Sequence, residues 1–514
     1  MRMNTKRIVL VGIVLTLLTA GSLLSGCSEG ADDTSQELHL TGYLLGGAPP
    51  GMPDVMTALN TKLKADINAT MEINYIGWGD FQSKYPLLLA SGEGFDWIYT
   101  ANWAFYFQQA RKGAFMEITQ EMLKKYMPLY YAKQSPNAYT EATVDGKMYM
   151  IPTTTPDRKI PVTMIRGDLR KKYNVPEIKK YSDLEAYFEA IKKNEPGMVP
   201  MYLDKSYDIG RPYAALKAEM GDYYLDIMFS TGAGSGVDFN LNDPSDKAYY
   251  SMEGGDLEQG KKAAEIMKRW YDKGYVNKDV FSNTVRSKDS FNLGKSAIGI
   301  GNSQDIQSNL ADAKAKGWEV ELVPELDAKN HYVADPHINN GVALCAGTAH
   351  PERTLMALDR MMQNKEYNYL VYFGIEGTNY VVNDGKIDLP AGLSPDKNTY
   401  PPDASGFWFT DKDQFLPYAT WTDDYVQLRQ DIKDKGYLVP TIFQTMPIDT
   451  AAIKTELANC NNVISQYSNV IAVGNVKNTD EAFRTLDDRL KAAGVMRVKE
   501  ELQRQVDAYL QSIK

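Results

Sequence analysis

The glycine-rich stretch from Gly299 to Gln304 is the segment most similar to a cofactor-binding motif. Its sequence begins like the dinucleotide fingerprint, but Gln304 stands where the third glycine is needed, so a nucleotide is not expected. The stretch still joins a predicted strand to a predicted helix, and such turns present free backbone N–H groups. Asn302, Ser303 and Gln304 are therefore candidates to bind hydroxyl groups, with Ser303 equally suited to cap the helix.

The other patterns that could support catalysis or metal binding are incomplete. Ser235 lies one position too late for a Gly-x-Ser-x-Gly elbow, and the sequence contains no His-Glu-x-x-His. His331 and His337 flank Asp335, but two unrelated loop histidines explain them better than a metal site. Residues 238–242 carry the first positions of a calcium loop without its glycine or final glutamate. We expect no catalytic residue, no metal and no cofactor.

Composition and charge restrict the partners of the chain. Its 514 residues carry a formal charge of −10, and no lysine or arginine cluster forms a basic face, so nucleic acid is not an expected partner. The length predicts two or three domains. Aromatic residues are plentiful, with 33 Tyr, 16 Phe and 7 Trp, but large cores use them as much as binding sites do.

The amino terminus has the three-part layout of a secretory signal. Basic residues at positions 2, 6 and 7 precede an apolar run over residues 8–18, and the segment ends at Cys27. A membrane span needs about 20 apolar residues, so a cleaved signal over residues 1–26 is favoured over a retained helix. Residues 27–36 are polar and predict a flexible tether. Cys345 and Cys460 do not define a disulfide framework, and buried free thiols are expected.

The body of the chain alternates strands and helices. Strands are predicted over residues 37–45, 71–76 and 95–99, with helices starting at Pro53 and Asp80 between them, an order typical of a parallel α/β sheet. A second α/β region starts near Val162 and includes predicted strands at 297–301 and 318–323. From Pro351 onward helices dominate, and amphipathic helices are predicted over residues 450–471, 479–493 and 496–513.

Five phrases, in chain order, resemble the extracellular solute-binding proteins of bacterial ABC importers, specifically their large carbohydrate-binding group. The phrases are a helix, Ala-Ser-Gly turn and apolar strand over Leu87–Tyr99, a Gly-aromatic passage over Arg111–Thr119, a glycine-lysine strand over Gly146–Pro152, a Phe-x-x-Gly-Lys-x-Ala crossing over Phe291–Gly301, and the helix start His350–Arg353. The Leu-Ser-Gly-Cys ending at Cys27 resembles the lipobox of bacterial lipoproteins. The long tail resembles a lineage of Gram-positive lipoproteins with extra carboxy-terminal helices.

The resemblance implies an α/β fold of two lobes joined by a hinge, with the ligand in the cleft between them. Lobe one is expected over residues 37–150 and 297–349, and lobe two over residues 155–293 and 350–514, including the extra helices. The resemblance also implies acylation of Cys27, which would hold a monomer on the extracellular face of the cell membrane. The implied partners are a carbohydrate, in particular an oligosaccharide, and the permease subunits of an ABC importer.

Sugar capture requires aromatic planes against the C–H faces of the ring and polar side chains against its hydroxyls. In the family, the loop after the third strand lies at the cleft, which makes Trp103 a stacking platform and Asn102 a hydroxyl binder. Trp78 follows the second predicted strand in the same way. The remaining candidates are Asp157 and Arg158 at the first hinge, and Trp408 and Trp421 in the tail. Trp103 could instead pack inward, the loops that carry Trp408 and Trp421 cannot be placed from sequence, and the two hinge residues could form surface ion pairs.

Other functions are compatible with these features. An anchored glycoside hydrolase is one alternative, although 66 carboxylates always place some pair at a suitable distance and so are not evidence for one. A receptor for peptide or another solute on the same fold is a second alternative, because fold does not fix ligand. A structural or adhesive surface protein is a third.

Overall fold

The computed structural model describes residues 34–78, 80–92, 94–226 and 234–512. The signal segment and the lipid-bearing role expected for Cys27 lie outside the described residues. Within the described ranges, no helix has the combination of length and apolar character needed to span a membrane.

The secondary structure alternates between strands and helices before becoming helical at the carboxyl end. In chain order, the strands are β1 (Leu38–Leu45), β2 (Ala69–Ile76), β3 (Trp97–Thr100), β4 (Thr143–Val144), β5 (Lys147–Met148), β6 (Ile151–Pro152), β7 (Pro161–Arg166), β8 (Tyr224–Asp226), β9 (Val237–Asn240), β10 (Ala248–Tyr250), β11 (Ile298–Asn302), β12 (Val320–Pro324), β13 (Tyr332–Val333), β14 (Gly341–Leu344), β15 (Val381–Asn383), β16 (Lys386–Asp388) and β17 (Leu438–Val439). The helices are α1 (Met52–Ile67), α2 (Phe81–Ser91), α3 (Tyr106–Arg111), α4 (Gln120–Tyr126), α5 (Pro128–Lys133), α6 (Pro136–Glu141), α7 (Gly167–Lys172), α8 (Leu184–Asn194), α9 (Arg211–Glu219), α10 (Gly254–Asp272), α11 (Ser287–Asn292), α12 (Gln307–Ala315), α13 (Pro351–Gln363), α14 (Lys365–Phe373), α15 (Asp423–Asp434), α16 (Lys454–Val473), α17 (Thr479–Ala493) and α18 (Val495–Ser512).

The first lobe is built on a five-stranded sheet in the order β2-β1-β3-β14-β6. β1 pairs in parallel with both β2 and β3, because helices α1 and α2 carry the chain back between these strands. α1 ends at Asn68, which adopts the left-handed conformation, and α2 ends at Gly92 in the same conformation. The parallel α/β order expected from the sequence is confirmed.

Gly42 in β1 is required by the neighbouring strand. A Cβ atom at this position would lie 2.2 Å from the ring of Trp97, the first residue of β3. The Trp97 side chain is fully buried in the first core, and the missing side chain of Gly42 provides the space for its ring. The first sheet can therefore hold its largest side chain without separating β1 from β3.

The second lobe is built on β11, β7 and β12, which pair antiparallel with β7 in the centre. Two parallel bridges, between Val199 and Ser296 and between Met201 and Val276, extend this sheet. Its core includes fully buried Tyr187, Phe188 and Trp270 from α8 and α10. β11 and β12 end beside Pro161 and Val162, where β7 begins, so the loop after β11 lies next to the segment that enters from β6 of the first sheet.

The strand pairing corrects the lobe boundaries expected from the sequence. Within residues 297–349, β11 and β12 pair with β7 in the second lobe, and only the part around β14 returns to the first sheet. Helices α13 and α14, expected in lobe two, bury their apolar faces in the core of the first lobe. A buried apolar strand has the same sequence pattern in either sheet, so its partner depends on tertiary contacts that the pattern does not contain.

The carboxy-terminal helices α16, α17 and α18 form a third core with β9 and β10. Their bounds agree with the amphipathic helices expected over residues 450–513. Cys345 and Cys460 are buried and free, as expected. These helices contact α10 of the second lobe and so extend that lobe.

Candidate functional site

Several strands of the first sheet end at a common edge. β1, β2 and β3 run in parallel, and β6 has the same direction because both β3 and β6 pair antiparallel with β14. Trp78 follows β2 and Trp103 follows β3, so both side chains leave the sheet at this edge. Loops at the carboxyl ends of parallel strands are where α/β proteins bind ligands.

Three tryptophans meet at this edge. The ring of Trp78 stacks against Trp103, with centroids 6.1 Å apart, and against Trp408, with centroids 5.7 Å apart and planes 18° apart. Tyr99, the third residue of β3, contacts both Trp103 and Trp408 from below. Trp78 remains 50% exposed. We call Trp78, Trp103 and Trp408 the tryptophan cluster; it lies at the carboxyl-end edge of the first sheet.

The indole N–H groups of two members of the cluster are used by the protein itself. Trp103 donates from Nε1 to the carbonyl of Asn339 at 3.0 Å, and Trp408 donates to the carbonyl of Asp403 at 3.1 Å. These bonds fix the orientation of the rings. The protein therefore satisfies the polar edges of these two rings, and Trp78 is the half-exposed member of the cluster.

Gly406 allows the loop that carries Trp408 to reach the first sheet. Its φ angle is 81°, and a Cβ atom there would lie 2.9 Å from the carbonyl oxygen of Leu45, the last residue of β1. The loop thus crosses directly over the end of β1, where only glycine fits. This close approach brings Trp408 onto Trp78.

A hydrogen-bonded chain links the tryptophan cluster to the hinge. Tyr99 donates from its hydroxyl to Asn340 Oδ1 at 2.7 Å, and Asn340 donates from Nδ2 to Asp157 Oδ2 at 3.0 Å. Asp157 in turn accepts from Lys412 Nζ at 2.9 Å. Lys159 lies 3.7 Å from Asp157 and forms an ion pair at 2.9 Å with Asp335.

Asp157 is charged within this network. Burial alone raises the pKa of its carboxyl, but the ammonium groups of Lys412 and Lys159, with hydrogen bonds from Lys412 and Gln304, outweigh burial and hold the pKa well below its usual value. For Asp335, burial is the larger influence and raises the pKa despite Lys159. The hinge therefore contains a nearly buried network of two carboxylates and two lysines.

A cavity of about 480 Å³ opens beside this network, between the two lobes. One wall comes from the second lobe and includes Gln304 and the polar face of α12. The opposite wall comes from the segment between residues 379 and 404, which packs on α14 of the first lobe and ends in Asp403. The side chain of Asp403 faces the cavity while its carbonyl holds Trp408, so the cavity and the tryptophan cluster are adjacent.

The structure separates the polar candidates of the β11 turn. Gln304 lines the cavity and hydrogen-bonds to Asp157. Asn302 accepts the backbone N–H groups of Gln304 and Asp305 and so shapes the turn. Ser303 is fully buried, and its hydroxyl accepts the backbone N–H of Ile160, so its side chain holds the fold together and does not line the cavity.

Three further candidates have structural partners. Asn102 is buried and donates from Nδ2 to the carbonyl of Gln444 at 3.0 Å. This bond joins the loop after β3, which carries Trp103, to the segment that precedes the carboxy-terminal helices. Arg158 points outward and pairs with Asp413 at 2.9 Å, away from the network around Asp157. Trp421 packs on the core of the second lobe and donates to Gln307 Oε1 at 2.9 Å, so it does not join the tryptophan cluster.

Sequence reasoning missed Tyr99, Lys412 and Asp403. Tyr99 lies within a buried apolar strand, where an aromatic residue usually indicates core. Lys412 and Asp403 belong to an irregular, proline-containing stretch that gives no periodic pattern. The proximity of Lys412 to Asp157 arises only from the folded path of the chain.

The fold and site together define a two-lobed α/β binding protein with a cleft at the carboxyl ends of its strands. Residues 58–381 match the model of the bacterial extracellular solute-binding protein family, and the chain belongs to that family. The family and the fold class expected from the sequence are confirmed. Residues 446–511 match a second model, described as a domain of unknown function (DUF3502).

Similar proteins agree with this assignment. The chain is 25% identical over 513 residues to a carbohydrate ABC transporter substrate-binding protein of Streptococcus pneumoniae serotype 4 (strain ATCC BAA-334 / TIGR4), covering 97% of this chain and 96% of that protein. The crystal structure of the N-glycan transport solute binding protein NgtS from Streptococcus pneumoniae superposes with a TM-score of 0.76 at 20% identity, covering 93% of this chain and 100% of that one. An HMO-binding solute-binding protein from Bifidobacterium longum infantis gives a TM-score of 0.64 at 15% identity, covering 92% and 99%. These structural likenesses concern the fold.

Proposed function

We propose that this protein is the substrate-binding component of an ABC importer and captures an oligosaccharide between its two lobes. The tryptophan cluster beside an interlobe cavity is the observation that carries this proposal. The relative from Streptococcus pneumoniae bears the name of a carbohydrate transporter component, and NgtS has been solved in complex with Man1GlcNAc and with Man5GlcNAc.

The geometry suits a polyhydroxylated guest. The cluster offers the exposed half of Trp78 as an apolar surface against the C–H side of a sugar, and Gln304 and Asp403 offer polar groups on the cavity wall. Ligand pockets typically enclose about 300–1,000 Å³, a range that includes this cavity. An oligosaccharide lying across the cluster would thus reach the cavity with its next ring.

The site residues divide into two proposed groups. Trp78, Trp103 and Trp408 stack against the sugar, and Gln304 binds its hydroxyls. Asp157 acts from the hinge, where it holds the lobes in register through Lys412 and Asn340. Asn102 and Asn302 shape the loops that carry these residues, while Arg158 and Trp421 serve the surrounding structure.

The proposal extends to the location and partners of the protein. The Leu-Ser-Gly-Cys ending supports cleavage before Cys27 and acylation of its thiol, which would anchor a monomer on the outer face of the cell membrane. Closure of the two lobes on the ligand would create the shape that the permease subunits recognise. The role is capture without catalysis.

A thermal-shift screen tests the proposal. The purified protein is heated with a panel of lactose, galactotriose, mannotriose, triacetylchitotriose, sialyllactose and trigalacturonic acid, and with mixed peptides. A ligand at about 100 times its Kd adds about 2.7 kcal/mol to the free energy of unfolding, a readily measured rise in Tm. Stabilisation by a sugar without release of reducing ends supports a receptor; stabilisation by peptides alone, or sugar hydrolysis, contradicts it.

A further inference from the structure

The walls of the interlobe cavity carry an excess of carboxylates. Among the described residues that line it, the acidic ones are Asp305, Asp312, Asp388, Asp396 and Asp403, and the one basic residue is Lys288. Both lobes contribute, with the first two aspartates on the side of α12 and the others on the opposite wall. A molecule that enters the cavity therefore meets negative charge from both sides.

The lysine on the cavity wall already has a partner. Lys288 Nζ lies 3.4 Å from Asp305 Oδ2 and donates to the backbone carbonyl of the same residue at 3.1 Å. A ligand carboxylate that paired with Lys288 would have to displace this aspartate. The charge that Lys288 brings is thus balanced within the wall itself.

The lysines behind the cavity are also engaged. Lys412 contacts both carboxylate oxygens of Asp157, at 2.9 and 3.2 Å, and Lys159 contacts Asp335 at 2.9 Å. Their ammonium groups belong to the hinge network. Arg158, also at the hinge, pairs with Asp413 at 2.9 Å, so each of these basic residues already faces a carboxylate.

The negative charges of the aspartates on the opposite wall are less fully balanced by basic side chains. Asp388 accepts the backbone N–H of Leu389, and Asp403 accepts the hydroxyl of Tyr372 at 3.3 Å; neither bond adds positive charge. A hydrogen bond from Ser394 lowers the pKa of Asp396, with a smaller contribution from the charge of the neighbouring Lys397. Burial raises the pKa of Asp403; the charge of Lys412 opposes this shift, and the charges of Asp157 and Asp305 add to it.

We propose, on the basis of the oligosaccharide-binding function above, that this cavity selects glycans without carboxylate groups, either neutral or bearing amines, and excludes uronic and sialic acids. A carboxylate in a closing cleft needs a charged partner, and here it would meet like charge instead. Hydroxyls can donate to the aspartates, and an amine can also pair with them. The specificity thus comes from repulsion of the acidic alternative as well as from contacts with the accepted sugar.

A matched pair of sugars tests this selectivity. The probe is the neutral oligosaccharide of the panel that stabilises the protein most, compared by calorimetric titration with the same sugar after oxidation of its primary alcohols to carboxylates. We expect the oxidised sugar to bind about tenfold more weakly or worse, since like charge in a closed site is unfavourable. Raising the salt from about 0.02 M to about 0.5 M is expected to narrow the ratio of the two Kd values, because salt screens the repulsion.

Two variants link the selectivity to the cavity. The double variant Asp388→Asn and Asp396→Asn removes two negative charges from one wall, and we expect it to lower the ratio of oxidised to neutral Kd several-fold. Asp424→Asn, on the exposed surface of α15, makes a similar change outside the cavity and should leave the ratio as it is. Equal or tighter binding of the oxidised sugar by the wild type, or a ratio insensitive to the double variant, overturns the charge inference and leaves the receptor function standing. Binding of no sugar at all overturns the proposed function itself.

Discussion

Trp78 and Trp408 stack with their centroids 5.7 Å apart and their planes 18° apart, although one follows the second strand of the chain and the other lies in its last third. Their contact depends on the loop that crosses the end of β1 at Gly406. The tryptophan cluster is therefore assembled from distant parts of the chain.

Replacing Trp78 with alanine is expected to weaken sugar binding by about 30-fold, since loss of a central aromatic anchor commonly costs about 2 kcal/mol or more. The ring is half exposed, so the fold should lose little stability. Trp318→Ala is the control, because this tryptophan packs under Arg166 in the second lobe, outside the tryptophan cluster. If both variants bound the sugar as tightly as the wild type in a titration, the tryptophan cluster would not be part of the binding site.

Gly406→Ala is expected to reduce affinity through the position of Trp408. The added Cβ would lie 2.9 Å from the Leu45 carbonyl, so the loop must move away from β1 and carry the ring with it. Gly317→Ala serves for comparison: it also has a positive φ, 70°, but nothing lies within 4 Å of the added Cβ. Both variants should lose roughly 1–2 kcal/mol of stability from backbone strain. Equal sugar affinity in the two would show that the close approach does not position Trp408.

Asp157→Asn is expected to destabilise the protein by about 3–5 kcal/mol, because it leaves the ammonium group of Lys412 without its charge partner in a largely buried position. Asp413→Asn removes a carboxylate from the exposed pair with Arg158 and should cost about 0–1 kcal/mol. Urea unfolding of both variants measures the difference. Similar losses in the two would contradict the contrast between the buried network and the surface pair.

The contribution of Asp157 should also depend on pH. Its folded pKa is depressed, so the stability it adds is complete above its unfolded pKa of about 3.9 and is lost as the pH falls below that value. The difference in unfolding free energy between wild type and Asp157→Asn is therefore expected to stay constant from about pH 7 to about pH 5 and to shrink below about pH 4. A difference that grows on acidification would mean that the pKa is raised instead.

Gly42→Ala tests the packing of the first sheet. The new methyl group would lie 2.2 Å from the buried ring of Trp97, and overpacking of this kind costs about 1–3 kcal/mol. Gly47→Ala lies two residues beyond the same strand, with nothing within 4 Å of the added atom, and should change stability by less than about 0.5 kcal/mol. Thermal unfolding of the pair distinguishes the two, and equal Tm values would be inconsistent with the contact.

Local patterns in the sequence were enough to predict the strands and helices of the first sheet and part of the candidate site. The alternation of strand and helix up to Tyr99 predicts the parallel sheet, and a loop directly after a strand places Trp78 and Trp103 at its edge. The lobe that receives β11 and β12 could not be predicted, because their apolar pattern suits either sheet. The salt bridge from Lys412 to Asp157 likewise joins residues whose proximity exists only after folding.

Ser303 and Gln304 are neighbours in the same turn, but their side chains have different surroundings. Ser303 is a polar residue in the turn after β11, yet its hydroxyl accepts a hydrogen bond from the backbone amide of Ile160 inside the protein. Gln304, one residue later, reaches the cavity. A turn at a strand end predicts that some polar group faces the cleft, but only the backbone geometry decides which residue it is.

The most direct test of the account is calorimetric titration of the purified wild type and of the variant carrying Trp78→Ala and Trp408→Ala together, with the neutral oligosaccharide that stabilises the protein most. We expect saturable binding by the wild type and loss of most of that affinity in the double variant. Circular dichroism should show that both proteins are folded. Equal affinity in the two proteins would contradict the account.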